Sequence, residues 1–209
     1  EKIHSNLLRA VSHDIRTPLT GIVGATNVLL EQDDVLTPQQ RRELLKNANE
    51  EAQWLIHIVE NLLSITRIGA QGDAKVTKTQ AVAEEVIEGA VAKFTSRGGK
   101  LPVRVHLPQE VLLVPMDELL IEQVLLNLLE NVEQHAQSAT AIHIQIEQQP
   151  ERVQISVADN GDGIPRHLLP ILFDGYDAMV GAHADRNRRM GIGLAVCRAI
   201  VRAHGGEIS

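Results

Sequence analysis

Four separated stretches carry residue types whose spacing can do chemistry. The first is Ser12-His13-Asp14-Ile15-Arg16-Thr17-Pro18-Leu19. An imidazole titrates near neutrality, so His13 offers a neutral, nucleophilic nitrogen at physiological pH. A carboxylate bonded to one ring nitrogen leaves the other free to attack, and Asp14 is adjacent. Thr17 falls one helical turn later on the same face. The second stretch sets Asn127, Asn131 and His135 in line, each four residues from the last. The other faces of that helix carry Ile121, Leu125, Leu128, Leu129 and Val132. Amides along so apolar a helix need partners. One reading is a solvated polar face; the other is an amide oxygen ligating a hard cation such as Mg²⁺ beside nucleotide phosphates and waters.

The third stretch runs from Val153 to Asp159-Asn160-Gly161-Asp162-Gly163-Ile164-Pro165. Val153, Ile155, Val157 and Asp159 share one parity, which places the carboxylate on the apolar side if the strand persists. Such a carboxylate needs a donor, and an adenine amino group is a suitable one. The plain alternative is a turn at Asp159-Asn160-Gly161. The glycines would let backbone approach a flat base closely. The fourth stretch, Met190-Gly191-Ile192-Gly193-Leu194, opens a helix with Gly-x-Gly. Free N–H groups and the positive dipole end there suit phosphate, although glycine before a helix is common. Cys197 lies within that helix and reads as a small core residue rather than a nucleophile.

The elements that must hold these residues follow from periodicity. Leu7, Leu8, Val11, Ile15, Leu19 and Ile22 have helical spacing, predicting a helix over about Lys2 to Glu31. His13 is about 200° round the helix from Val11 and faces away from that stripe. Pro18 removes a donor and crowds the carbonyl of Asp14, so a bend is expected within a turn of His13. Asp33 and Asp34 mark a turn. Thr37-Pro38-Gln39-Gln40 is a helix start: a cap, proline in the first helical position and Gln three residues after the cap. The second helix should end near Gly69, giving a hairpin about 40 Å long. A lone hairpin cannot bury both apolar stripes, so pairing with a second copy in a four-helix bundle is expected. Trp54 reads as a packing residue.

Polar Gly69 to Asp73 marks the domain boundary, giving an all-α hairpin over 1–69 and a second domain over 70–209. There, Thr79 is expected to cap a helix running to Phe94, and Arg97-Gly98-Gly99-Lys100 to turn. Strands are expected at Val103 to Leu107 and at Val111 to Val114. Asp117 should cap a long helix through Ala136. Ala141 to Glu147 and Arg152 to Ala158 read as a strand pair. Helices on one face of a mostly antiparallel sheet make an α+β sandwich.

Composition narrows the classes. Of 209 residues, 44% are hydrophobic and only 2% aromatic, so the core must be aliphatic. A net charge of -7 argues against nucleic-acid binding. Cys197 is the only cysteine, which excludes an intramolecular disulfide or a thiolate metal cluster and fits a reducing compartment. No run reaches the ~20 apolar residues that span a bilayer, so no membrane contact is expected from this chain itself. The chain reads as a fragment of a longer protein.

A His-Asp pair alone is ordinarily an exposed histidine beside a solvated acid. The whole octet, however, resembles the phosphoacceptor box of sensor histidine kinases. The stretches at Asn131, Asp159 and Gly191 resemble the ATP-binding domain of that family, whose fold is shared with gyrase, Hsp90 and MutL. The likeness covers nearly the whole chain, with the boxes in order. It implies that His13 is phosphorylated from ATP, that Asp14 is its orienting acid/base partner, and that Thr17 positions a water for dephosphorylating a response regulator. It further implies that Asn131 binds Mg²⁺ and Asp159 holds adenine. Gly161, Gly163, Gly191 and Gly193 would shape the pocket, with Asn127, His135, Ile164 and Leu194 in the same site. The partners implied are a second copy of the chain and a response-regulator receiver domain. The location implied is the cytoplasmic side of a bacterial inner-membrane sensor.

Three features depart from the family pattern. Gln134 stands where a phosphate-binding lysine is usual, and losing one charged contact costs on the order of 1.5–3 kcal/mol. Phe173-Asp174-Gly175-Tyr176-Asp177 is shorter than the usual Phe-x-x-Phe-Tyr-Arg and has an acid where the arginine would fall. Arg186, Arg188 and Arg189, in the region of the ATP lid, are candidates to compensate, against a solvated loop. The chain also stops at Ile208-Ser209, where the family fold has further strand. A competing class is therefore a dimeric docking or phosphatase module with a degraded nucleotide site. A third is an energy-transducing ATPase that needs no His13.

Overall fold

The computed structural model describes residues 2–32, 34–69, 76–173 and 191–209, and their side chains except at 2–14, 65, 69, 191 and 192. By contact density the chain divides into two compact units, Glu1–Leu63 and Ser64–Ser209. The division falls within a helix, earlier than the polar Gly69–Asp73 stretch.

Helix α1 spans Lys2–Glu31 and α2 spans Pro38–Gly69. Helix α1 continues through Pro18, which is itself buried. The start of α2 forms as its four residues dictate. Thr37 N–H donates to Gln40 Oε1 at 2.9 Å, and Gln40 N–H donates to Thr37 Oγ1 at 3.2 Å. Two donors at the helix start are thus satisfied reciprocally. Within the first unit, Ala25, Ile58 and Asn61 are buried. Leu19, Val23, Leu45, Ile56, Val59 and Leu63 remain between 46% and 63% exposed. Among the described residues the hairpin therefore buries few apolar side chains and leaves these six largely in water. Trp54 packs as expected, stacked on His57 with ring centroids 5.5 Å apart.

The second unit orders its elements as β1 (Thr79–Val82), α3 (Ala83–Ser96), β2 (Val103–His106), β3 (Leu113–Met116), α4 (Glu118–His135), β4 (Ile142–Gln148), β5 (Val153–Asp159) and α5 (Gly191–Ala203). Strands β1 and β3 form a two-stranded antiparallel sheet. A second sheet has the order β2-β4-β5, parallel between β2 and β4 and antiparallel between β4 and β5. Asp117 caps α4, its Oδ1 accepting from Leu120 N–H at 3.2 Å.

Thr79 does not cap a helix; it opens β1, and α3 starts later than the sequence suggests. Ala83 N–H, the first helical donor, is met at 3.0 Å by the carbonyl of Leu112. The residue just before β3 thus supplies an acceptor to the start of the helix. Glu84 and Glu85 in the first turn suit the dipole. The strand expected at Val111 to Val114 lies slightly later and includes Pro115, which a sheet edge tolerates because no N–H is needed there.

Helices α3 and α4 cover one face of the three-stranded sheet. Ile87, Ala90 and Phe94 from α3 meet Leu125, Leu126 and Leu129 from α4, and Ile142, Ile144 and Ile146 from β4. A second cluster joins Leu120 and Val124 of α4 to Val196, Cys197 and Ile200 of α5, with Ile68 of α2 and Val76. Helix α4 belongs to both, so the unit is an α+β sandwich built around it. Burying one such aliphatic side chain contributes about 1.5–3 kcal/mol.

Two outcomes follow. Thr37→Ala should lower unfolding stability by about 1 kcal/mol in a denaturant titration, from loss of the reciprocal cap. Burial pushes the Cys197 thiol up to about 12, so thiolate is scarce at neutral pH. A disulfide reagent should leave it untouched in the folded chain and modify it fully in denaturant.

Candidate functional site

His13 and Asp14 lie within α1, and their side chains fall outside the described residues. Thr17, one turn on, is exposed. A nucleophile at this place would be carried by a continuous helix rather than a loop.

The other candidates meet around α4. Asn127 is 4% exposed. Its Oδ1 accepts from Gln123 Nε2 at 2.9 Å, and its Nδ2 donates to the carbonyl of Gly193 at 3.3 Å. The amide that read as a ligand thus fastens the opening turn of α5 to α4. One turn later Asn131 is half-buried, and His135 ends the helix half-buried. Gln134 points into solvent.

Past α4, the chain meets the end of β5. A Cβ on Gly161 would sit 3.0 Å from Ala136 Cβ, 3.0 Å from Asp159 Oδ1 and 3.4 Å from Ala139 Cβ. A side chain here would press on all three neighbours, and glycine avoids that crowding. Asp159 keeps its parity with Val153, Ile155 and Val157, but as the last residue of β5 it is exposed. Its Oδ1 accepts from Gly161 N–H at 2.8 Å, which folds the loop back and leaves the second oxygen for another donor. Gly163 has φ of +73°, a conformation costly for other residues. Ile164 is exposed beside it, and Leu194 is buried in α5.

The structure therefore brings Asn127, Asn131, His135, Asp159, Gly161 and Gly193 onto or against one helix. Phe173 is half-buried. Gly175, Tyr176, Asp177, Arg186, Arg188 and Arg189 lie outside the described residues.

Sequence reasoning missed Asn160. Its Oδ1 accepts from Thr140 N–H at 2.8 Å and Ala141 N–H at 3.2 Å. Its Nδ2 donates to Thr140 Oγ1 at 2.7 Å. Asn160 clamps the loop after α4 to the end of β5 and so sets where Asp159 stands. No sequence signal separated it from an ordinary turn residue.

The residues fit a nucleotide with a hard cation. Asn131 and Asp159 offer amide and carboxylate oxygens, the donor type a hard cation takes; among the described residues no group of three or more His, Cys, Asp or Glu gathers that could hold a metal ion by itself. Among the described residues no helix is long and apolar enough to cross a membrane.

Comparison with known proteins first places the two units in a class. Residues 3–71 match the His Kinase A (phospho-acceptor) domain. Residues 116–209 match the histidine kinase-, DNA gyrase B- and HSP90-like ATPase. The chain belongs to the sensor histidine kinase family. Over its whole length it is 38% identical to the sensor protein KdpD of Clostridium acetobutylicum and 35% identical to that of Escherichia coli. It spans 23% of the length of each of these relatives. The solved structure of the Acinetobacter baumannii histidine kinase AdeS aligns with a TM-score of 0.63 at 25% identity, covering 91% of this chain and 86% of that one. The histidine kinase ThkA, solved in complex with the response regulator protein TrrA, shares the fold with a TM-score of 0.68 at 22% identity, over 98% of this chain and 56% of that one.

Asn160→Ala removes three hydrogen bonds and leaves backbone donors uncovered. It should lower the stability of the second unit by about 1–3 kcal/mol in denaturant unfolding, with faster amide exchange at Thr140 and Ala141.

Proposed function

We propose that this chain is the kinase core of a two-component sensor, with 1–69 as dimerisation and phosphoacceptor hairpin and 70–209 as ATP-binding domain. The observation that carries the reading is the gathering of Asn131, Asp159 and the glycine turns against α4, in one chain with a family phosphoacceptor helix.

In the proposed reaction a neutral nitrogen of His13 attacks the γ-phosphorus of ATP. The bond from γ-phosphorus to the β,γ-bridging oxygen breaks, and ADP leaves with the electron pair. The remaining ring N–H proton passes to Asp14, which also orients the ring. The phosphoryl group then moves to an aspartate of a response regulator. Thr17 orients a water that attacks the regulator's aspartyl phosphate, releasing inorganic phosphate and the free carboxylate. Asp159 accepts from the adenine amino group through the oxygen not engaged by Gly161. Gly161, Gly163 and Ile164 shape the base pocket, while Gly191 and Gly193 present N–H groups to phosphate. Asn131 is the residue that would hold Mg²⁺, which when bound neutralises phosphate charge during transfer. Asn127 and Leu194 act as supports, since both are buried, and His135 closes the site at the end of α4.

Homodimerisation is supported by the exposed apolar side chains, Leu19 and Val23 on α1 with Leu45, Ile56, Val59 and Leu63 on α2. A symmetric four-helix bundle would cover them. Likeness to the KdpD sensors supports a potassium-responsive bacterial inner-membrane protein as the whole, with this portion cytoplasmic. Gln134 and the shortened Phe173–Asp177 box favour the second reading, a docking or phosphatase module with a weakened nucleotide site.

Incubation with labelled Mg-ATP separates the two. The kinase reading expects an acid-labile, alkali-stable label that disappears in His13→Gln. Asp159→Asn should weaken ATP binding about ten-fold or more, the scale of a hydrogen bond to a charged group. An unsubstituted chain that takes no label would overturn the kinase reading.

A further inference from the structure

Helices α4 and α5 pack antiparallel and are tied by three polar rungs. Near one end Asn127 Nδ2 donates to the carbonyl of Gly193. In the middle Cys197 Sγ donates to the carbonyl of Val124 at 3.7 Å. At the far end Asp117 N–H donates to His204 Nε2 at 3.0 Å. This last rung is built with care. His204 Nδ1–H donates to the carbonyl of Ile200 at 2.8 Å, so the ring is neutral and presents a bare Nε2. Lys78 Nζ donates to the carbonyl of His204. Asp117, 9% exposed, uses Oδ1 to cap α4 and sets Oδ2 3.3 Å from Arg67.

Arg67 stands in the last turn of α2, and beside it Ile68 is buried in the α4–α5 cluster. Both belong to the second unit. The end of α2 is thus built into the domain that carries the nucleotide residues. Asp117 lies about 20 Å along α4 from Asn131.

We propose that Arg67, Asp117 and His204 form a positioning latch that holds α4 and α5 in register and makes that register depend on the last turn of α2. None of the three touches the nucleotide residues. Displacing the end of α2 withdraws Arg67 from Asp117, loosens the far rung and lets α5 shift against α4. The Gly193 turn moves with it. Protonating His204 has the same result, because an N–H at Nε2 cannot accept from Asp117. The charges acting on the ring are Lys78, before β1, which disfavours protonation, and Asp117, at the start of α4, which favours it; Arg67 from α2 offsets the latter. Burial, the largest influence, holds the imidazole below its usual range. A neutral ring favoured by folding stabilises the latch above the ordinary histidine range, and that contribution is lost as pH falls through the folded value.

The latch rests on the nucleotide reading above, and binding of a fluorescent ATP analogue with Mg²⁺ to the whole chain tests it. Arg67→Gln should weaken binding about five-fold, within the range of mutations acting through a coupled network, and Arg67→Lys should restore most of it. As pH falls below the ordinary histidine value of about 6.5, affinity should fall with acidity more steeply in the unsubstituted chain than in His204→Gln, whose amide oxygen accepts without titrating. Far-ultraviolet circular dichroism checks that each variant is folded. Equal affinities and equal pH profiles in a chain that binds the analogue would refute the latch. No binding by the unsubstituted chain would instead overturn the nucleotide reading itself.

Discussion

A buried amide must find partners, and Asn127 finds Gln123 and the carbonyl of Gly193 inside the protein. That requirement fixes much of the second unit. Its acceptor takes Gln123 one turn earlier on α4. Its donor then reaches the carbonyl of Gly193, which pins the first turn of α5. With α5 in place, Val196, Cys197 and Ile200 close over Leu120 and Val124. The opposite face of α4 is then free to meet the sheet through Leu125, Leu126 and Leu129. An apolar residue at position 127 would pack as well locally but would not say where α5 begins.

The legible parts were those governed by local chemistry. Thr37 and Gln40 specify a helix start through bonds spanning one turn, and both bonds are present. Asp117 likewise caps α4, and alternation gave β4 and β5. Thr79 misled because Ala83 N–H is satisfied by Leu112, a partner distant in sequence. The same holds for the site. The octet around His13 and the glycine stretches stand out in one dimension. The clamp by Asn160 and the His204 rung do not, because their partners come from other elements. Asn127 stands out as an amide on an apolar helix, but its protein partners, Gln123 and Gly193, could not be read from the sequence.

The two units solve burial differently. The second encloses its aliphatic residues between helices and sheet, which suits a chain with so few aromatics. The first leaves leucine, isoleucine and valine side chains uncovered. A hairpin of two long helices has no third layer to place over them. Helix α2 runs on past the first unit, its residues from Ser64 to Gly69 belonging to the second.

The pairing of β2 with β4 has a kinetic consequence. Parallel neighbours cannot be joined by a tight turn, and here β3 and all of α4 intervene between Val103 and its partner Ile142. The α1–α2 contacts, by contrast, join segments adjacent along the chain. Closing long loops slows folding, whereas local helical contacts form early. During synthesis the amino-terminal hairpin emerges first and is also the quicker to form. Its exposed apolar side chains therefore meet water before the mixed sheet has assembled.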